Sequence, residues 1–539
     1  MTAYTTEHHE HHREGHTAMN DGSTTMAPEV LLAGIWKDIL GAEEVGPDDD
    51  FFSLGGDSLL ALQVIGAAQE QGLSLSLLDL FRNPTPRGAC QALGSGGPAA
   101  GGSAAELLSP LDRARIPDDA EDAFPAARLQ LGLIYESLVS DGAFYLDVIS
   151  RTVNRPLDPE VLRAVLDRLS HRHPVLRTRF DLGTFSEPMQ LVLRDAPIPL
   201  TTDDHEGLDE ASATARYEEA MADLGRPYDP ERAPLLRVHA ARLGADSFRL
   251  SYSFHHAILD GWSEAVFFNE LVRCYAASLA GEQLDLPEPV PYAEFVRLER
   301  EAVADLACAQ HFEGLRELLP AQRTASVETP DHHKVSAAVP ADDARRLDEL
   351  AAASGLPVKS LLLAAACVAV GAAWETTTPV VGLLLNGRPE RTGADVTLGL
   401  FLNQLPVRLD LAGATWRAAG RLALDAENDL LPHRRFPHSE VRRLLGHNPF
   451  EVTFNYVRFH PRDELLDSGL LAVEEDMRDH TSLPVRIEAL NETAGSGLSL
   501  HVTADVNRCG ADLPGDLLAR LLGAVHALVT APDGSVDVR

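Results

Sequence analysis

Ser247-Phe-Arg-Leu-Ser-Tyr-Ser-Phe-His-His-Ala-Ile-Leu-Asp-Gly-Trp-Ser263 decides how this chain is read. Phe248, Leu250, Tyr252 and Phe254 are apolar, and the residues between them, Ser247, Arg249, Ser251 and Ser253, are polar. That alternation is a half-buried strand. Beyond Gly261 the period changes, and Val266, Phe267, Leu271 and Tyr275 fall at helical spacing. The histidines therefore close a strand, on a turn that a glycine permits. Neighbours on an extended backbone point to opposite sides, so at most one of His255 and His256 faces a given cavity. An imidazole there exchanges protons near neutral pH. A bare His-His pair, taken alone, reads as a buried, hydrogen-bonded strand end.

Around this stretch, residues 119–539 mix helical and strand patterns. Helices are expected over Leu129–Val139, Pro159–His173, Ala211–Leu224, Ser263–Ala280, Ala341–Ala353, Leu361–Trp374 and Leu513–Val529. Strands are expected over Phe144–Val153, Leu235–Leu243, Ser247–Phe254, Val380–Leu385, Val452–Val457 and Gly497–Ala504. This is an α/β or α+β region. It exceeds the usual size of one core, so two lobes are expected, about 119–290 and about 291–539.

Residues 27–93 read as a separate small helical bundle. Pro28 suits a first helical position, and Val30, Leu31, Ile35, Trp36 and Ile39 make one apolar face. A second helix begins at Ser58, after Gly55-Gly56-Asp57, with Leu59, Leu62 and Ile65 inward. Residues 94–118 are rich in Gly, Ser, Ala and Pro and read as a flexible linker. Residues 1–26 read as a disordered, solvated tail. His8, His9, His11, His12 and His16 lie there, but nothing fixes a coordination geometry, so no metal site is expected.

The whole chain carries 81 acidic against 46 basic residues, a net charge of −35. Nucleic acid and anionic membranes need a basic face, so neither is an expected partner. The longest apolar run, Leu361 to Trp374, is too short to span a bilayer. The five cysteines, Cys90, Cys274, Cys308, Cys367 and Cys509, have neither metal-ligand nor redox spacing. With no signal peptide visible, reduced thiols in a cytoplasmic protein are the expectation.

Ser58 alone could be a helix N-cap. A phosphate ester on it would sit at the positive end of a helix, and two glycines would let a bulky enzyme approach its hydroxyl. The segment Asp50-Phe-Phe-Ser-Leu-Gly-Gly-Asp-Ser-Leu-Leu-Ala61 resembles the attachment motif of peptidyl carrier domains. The resemblance implies a four-helix bundle with 4′-phosphopantetheine bound covalently to Ser58. Ten acidic against three basic residues across 28–93 suit a domain that docks on several partners by weak polar contacts.

The run Phe254–Ser263 resembles the His-His-x-x-x-Asp-Gly signature of nonribosomal peptide synthetase condensation domains. Further segments are similar to that family in order along the chain. They are Leu129–Tyr135; Arg172–Phe180, with Pro174 where the family has Glu; and Tyr292–Phe295. Leu398–Arg408, His433–Pro437 and Asn448–Phe450 follow. The implied fold is two chloramphenicol-acetyltransferase-like lobes in a V, with a tunnel between them. The implied activity is amide formation by acyl transfer from the carrier to an amine. The signature residues His255, His256, Asp260 and Gly261 are the candidate catalytic set. His256 is expected to act on the amine, as a base or by steering it, and His255 to support the strand end. Asp260 is expected to pair with an arginine, for which Arg388 is the candidate. Gly261 is expected to keep the tunnel open and to present an amide to the oxyanion. Asn403 either lines the site or caps a strand end. Arg172 and Arg177 are expected in internal ion pairs, and Trp262 in the core.

The resemblance implies further partners: an adenylation enzyme for loading, a phosphopantetheinyl transferase, and an acceptor carrier or free amine. Alternatives within the superfamily are an ester-forming or an epimerising member. An epimerising member would use a Glu-Gly-His-Gly-Arg run that the chain lacks. A non-catalytic docking platform is the alternative of another class. The signature also looks closer to the subtype that takes a D-configured donor.

Overall fold

The computed structural model describes residues 27–93, 104–140, 142, 144–319, 330–458, 460–479, 481–492 and 497–538. The histidine-rich tail and residues 94–103 of the expected linker lie outside these, whereas the rest of that segment is ordered, with a 3-10 turn Ala104–Leu107, a short helix Pro110–Arg113 and a buried Asp112, in place of the flexible linker expected over 94–118. The strand Ser247–His255 runs through the middle of a five-stranded sheet. It is antiparallel to Leu146–Val153 on one side and to Leu236–Gly244 on the other. The apolar face read from the sequence is buried, with Phe248, Leu250, Tyr252 and Phe254 at 1% exposure or less. Phe267, Phe268 and Leu271 of the helix Gly261–Leu279 belong to the same core, joined by Leu162, Val165 and Leu169 of Pro159–Arg172.

The second lobe is built on a six-stranded sheet, in the order Leu402–Arg408, Val380–Asn386, Val452–Val457, Val485–Glu492, Gly497–Asp505, His332–Ala338. The helices Val358–Ala373 and Leu513–Thr530 belong to its core. By length and composition Leu513–Thr530 could cross a membrane. Here it buries Leu517, Leu521, Val525 and Leu528 in the lobe. The expected fold class, a small helical bundle plus a two-lobed α/β unit, is the observed one.

The lobes are not two uninterrupted stretches of chain. Leu471–Arg478 leaves the second half and pairs antiparallel with Leu146–Val153, at the edge of the first lobe's sheet. Leu465, Leu470 and Leu471 belong to the first lobe's core. A division near 290 therefore assigns this segment to the wrong side.

The helices Pro28–Leu40, Ser58–Glu70, Leu77–Arg82 and Pro86–Ala92 form the N-terminal bundle around Trp36, Phe51 and Ile65. The bundle rests on the second lobe. Gln63 donates to Asp395 at 2.7 Å, and Arg458 donates to the Gly55 carbonyl at 3.0 Å. Leu431, from the second lobe, is 3% exposed and is counted within the bundle's own core.

Candidate active site

The turn after the strand is built around Asp260. This carboxylate caps the helix Gly261–Leu279, accepting from the Ser263 amide at 2.8 Å. The same oxygen accepts from Arg388 at 3.1 Å, and the other accepts from the Phe401 amide at 3.0 Å. Arg388 is fully buried, bonded also to Ser263 Oγ and to the Ala394 and Thr397 carbonyls. Its guanidinium lies 4.0 Å from the Phe401 ring centroid. Burial lowers its pKa, and Asp260 is the leading opposing influence. A charge pair this deep holds because both Asp260 oxygens and both terminal nitrogens of Arg388 are bonded, while Arg388 Nε is buried without a partner. It joins the histidine turn to the second lobe.

His255 and His256 do point to opposite sides. His255 pairs with Leu146 across the sheet and is 1% exposed. Its Nδ1 accepts from the Ala257 amide at 3.1 Å, and burial, with His256 nearby, pushes its pKa down to about 4. It is a neutral interior group, which removes it from the residues that can meet a substrate. The His256 side chain is 23% exposed. Its backbone amide donates at 2.8 Å to the carbonyl of Tyr145, a tyrosine held at φ 61°. Such a left-handed conformation costs energy for a residue with a Cβ. The Tyr145 phenol bonds Glu136 at 2.9 Å and meets Ser482 Oγ of the second half at 2.7 Å.

Asp147 stands beside His256, with Oδ2 4.0 Å from Nε2 and its side chain only 7% exposed. Burial raises its pKa to about 6, with His256 the first opposing influence. Sequence reading missed this residue. A charge in an apolar strand, Tyr145-Leu-Asp-Val-Ile149, is a signal, but only the pairing of Asp147 with Phe254 puts it next to the histidine.

At the bundle, Asp57 caps the second helix, accepting from the Leu60 amide at 2.9 Å. Ser58 is the first helical residue. Gly55 adopts φ 91°, and a Cβ on Gly56 would come within 2.4 Å of the Phe51 ring. A cavity of about 610 Å³ runs from Gly55, Gly56 and Asp57 to Asp260, Gly261 and Trp262, with Arg458 on its wall. A helix start beside this cavity fits a phosphate-linked arm on Ser58; the cavity reaches the signature at Asp260, Gly261 and Trp262, and neither histidine is among its lining residues.

The remaining candidates serve structure. The Asn403 amide donates to the Arg434 and Phe436 carbonyls at 3.0 and 2.7 Å and accepts from His438 at 3.1 Å. It is committed to backbone capping and does not line the site. Arg172 pairs with Glu270 at 3.2 Å, and Arg177 with Glu121 at 2.8 Å. Trp262 reaches across to the Asp395 carbonyl at 2.7 Å and is only partly packed on the first lobe's core. No cluster of three or more metal-ligating side chains occurs among the described residues.

Comparison with known proteins agrees with this layout. The family model of the condensation domain matches residues 120–503, and that of the phosphopantetheine attachment site matches 30–93. AMB antimetabolite synthetase AmbE of Pseudomonas aeruginosa is 36% identical over 458 residues, covering 81% of this chain and 21% of the relative. Phosphinothricin tripeptide synthetase PhsB of Streptomyces viridochromogenes is 30% identical over 404 residues, 71% of this chain and 32% of that protein. The chain thus spans a third or less of these relatives. The fold is similar to the first condensation domain of the calcium-dependent antibiotic synthetase, with TM-score 0.64, 20% identity, 77% of this chain and 98% of that one. It is also similar to the X-domain solved with OxyB from teicoplanin biosynthesis, with TM-score 0.64, 18% identity, 83% of this chain and 99% of that one.

Proposed function

This chain belongs to the condensation-domain family, with a phosphopantetheine-attachment domain ahead of its condensation domain, and from that premise we propose that it forms an amide bond in nonribosomal peptide synthesis. The donor is the acyl group carried on Ser58, and the acceptor is an amine that meets it at His256. When attached, the phosphopantetheine arm supplies a thiol that holds the acyl group as a thioester. The observation that carries the reading is the cavity joining Gly55-Gly56-Asp57 to Asp260-Gly261-Trp262.

His256 is the exposed member of the pair, and we assign it the attacking nitrogen, as proton acceptor or as the group that aligns it. Gly261 holds the first position of its helix, where backbone amides lack intrahelical partners, and its N–H is the donor we assign to the developing oxyanion. Asp260 and Arg388 hold the turn in shape. Epimerisation needs two acid/base groups on opposite faces of one carbon. Asp147 and His256 are 4.0 Å apart, too close to flank a carbon, which favours acyl transfer. Loading would come from an adenylation enzyme after a phosphopantetheinyl transferase has modified Ser58. The acceptor would be presented by a further carrier or arrive as a free amine.

Single-turnover transfer from loaded Ser58 to an amine tests this. Ser58→Ala should abolish the mass gain on incubation with coenzyme A and a phosphopantetheinyl transferase. His256→Ala should leave loading intact and slow transfer by roughly 10²-fold or more if proton transfer is its role. Near-normal transfer by His256→Ala would sink the assignment.

A further inference from the structure

Asp147 and His256 face each other without a bond between them. Among the described residues, neither the Asp147 carboxylate nor the His256 ring takes part in a hydrogen bond, and His256 Nδ1 is buried without a partner. Leaving a carboxylate 93% buried and unbonded is costly, unless a ligand completes it. The surrounding charges do not complete it. Arg486, on Val485–Glu492, lies 2.5 Å from Asp479 and 3.1 Å from Glu488. Glu264, on Gly261–Leu279, is paired with Arg151 at 2.6 Å.

The separation of 4.0 Å exceeds a hydrogen bond but suits a shared donor. A nitrogen about 2.8 Å from both acceptors would see them at an angle of roughly 90°. A primary ammonium has three N–H groups and satisfies both. A hydroxyl has one and satisfies only one of them. We propose that Asp147 Oδ2 and His256 Nε2 together seat the protonated amine of the acceptor, so that the site selects cationic amines over hydroxyl acceptors. This rests on His256 being the transfer residue. The ionised carboxylate attracts the ammonium to the side of His256. The nitrogen then gives one proton to His256 Nε2, its freed electron pair forms the C–N bond at the thioester carbon, the C–S bond breaks as the imidazolium returns that proton to the leaving thiolate, and the nitrogen's remaining extra proton passes to solvent. While it lasts, the imidazolium stays beside the carboxylate. With its pKa raised only to about 6, Asp147 is ionised at the pH where amines remain protonated.

The test is a titration of the full chain, carrying ¹³C-labelled histidine, with alaninamide and with its uncharged hydroxyl counterpart lactamide. The His256 Cε1 signal, assigned with His256→Gln, should move with alaninamide and not with lactamide. In Asp147→Asn the alaninamide affinity should fall about tenfold or more, the range for losing a charged hydrogen bond. Equal response to both ligands, no response to either, or an unchanged affinity in Asp147→Asn would overturn the proposal. Transfer assays on the same proteins separate the two readings. Loss of selectivity with His256 still required defeats only the ammonium seat, whereas normal transfer by His256→Ala defeats the transfer assignment itself.

Discussion

Asp260 has no freedom left for chemistry. Its oxygens are bonded to Ser263, Arg388 and Phe401, and its own amide donates to the Gly399 carbonyl at 3.0 Å. Asp260→Ala should therefore strand the buried Arg388 charge, which costs about 3–5 kcal/mol. Chemical denaturation should show a matching drop in the midpoint, and an unchanged midpoint would contradict the structural role. At this scale the sequence was legible where a motif spoke. Strand alternation put His255 and His256 on opposite sides, and the family signature named His256 and Asp260. The Arg388 partner lies 128 residues away, beyond any local spacing, and was named only through the family resemblance. Asp147 was not legible: its importance comes from strand register, which one strand's residues do not encode.

Elements were read wherever the core face is periodic. Pro159–Arg172 buries Leu162, Val165, Leu166 and Leu169, and Ser247–His255 buries every second residue on its helix-facing side. Leu471–Arg478 was not read, because Leu-Ala-Val-Glu-Glu-Asp-Met-Arg carries three consecutive acids and looks like a solvated loop. Its strand identity comes from its neighbour Leu146–Val153. A contact between elements also fixes the segment Leu398–Phe401 against the signature turn. A Cβ on Gly399 would lie 2.4 Å from the Tyr292 ring, while the Gly399 carbonyl takes the Asp260 amide and the Ser263 hydroxyl. Gly399→Ala should thus cost about 1–3 kcal/mol and disturb transfer. Gly523, on Leu513–Thr530, has nothing within 4 Å of such a Cβ. Gly523→Ala should be neutral or stabilising by about 0.5–1 kcal/mol. Paired melting curves decide the matter, and equal effects at the two sites would refute the packing argument.

At the scale of the whole molecule, the bundle sits on the second lobe, among the described residues, through polar contacts such as Gln63–Asp395 and Arg458–Gly55 and through the inserted side chain of Leu431. A seat of that kind is one the bundle can leave, as the proposed loading by another enzyme requires. Leu431→Glu should release it, because a buried carboxylate without a partner is disfavoured. Distances between labels on the bundle and the second lobe should broaden and lengthen, and an unchanged narrow distribution would show that Leu431 does not hold the seat. The two-lobed architecture was legible from length and pattern, but its interlacing was not. That interlacing, through Leu471–Arg478, reaches back into the chain's synthesis. The first lobe has its other four sheet strands once His255 has left the ribosome, yet the last emerges roughly two hundred residues later, about 10–40 s at ordinary translation rates. For that interval Leu146–Val153, buried along nearly its whole length in the finished protein, is an open sheet edge. The nascent lobe is then a template for any passing strand, and a chain cut between the lobes would stay one.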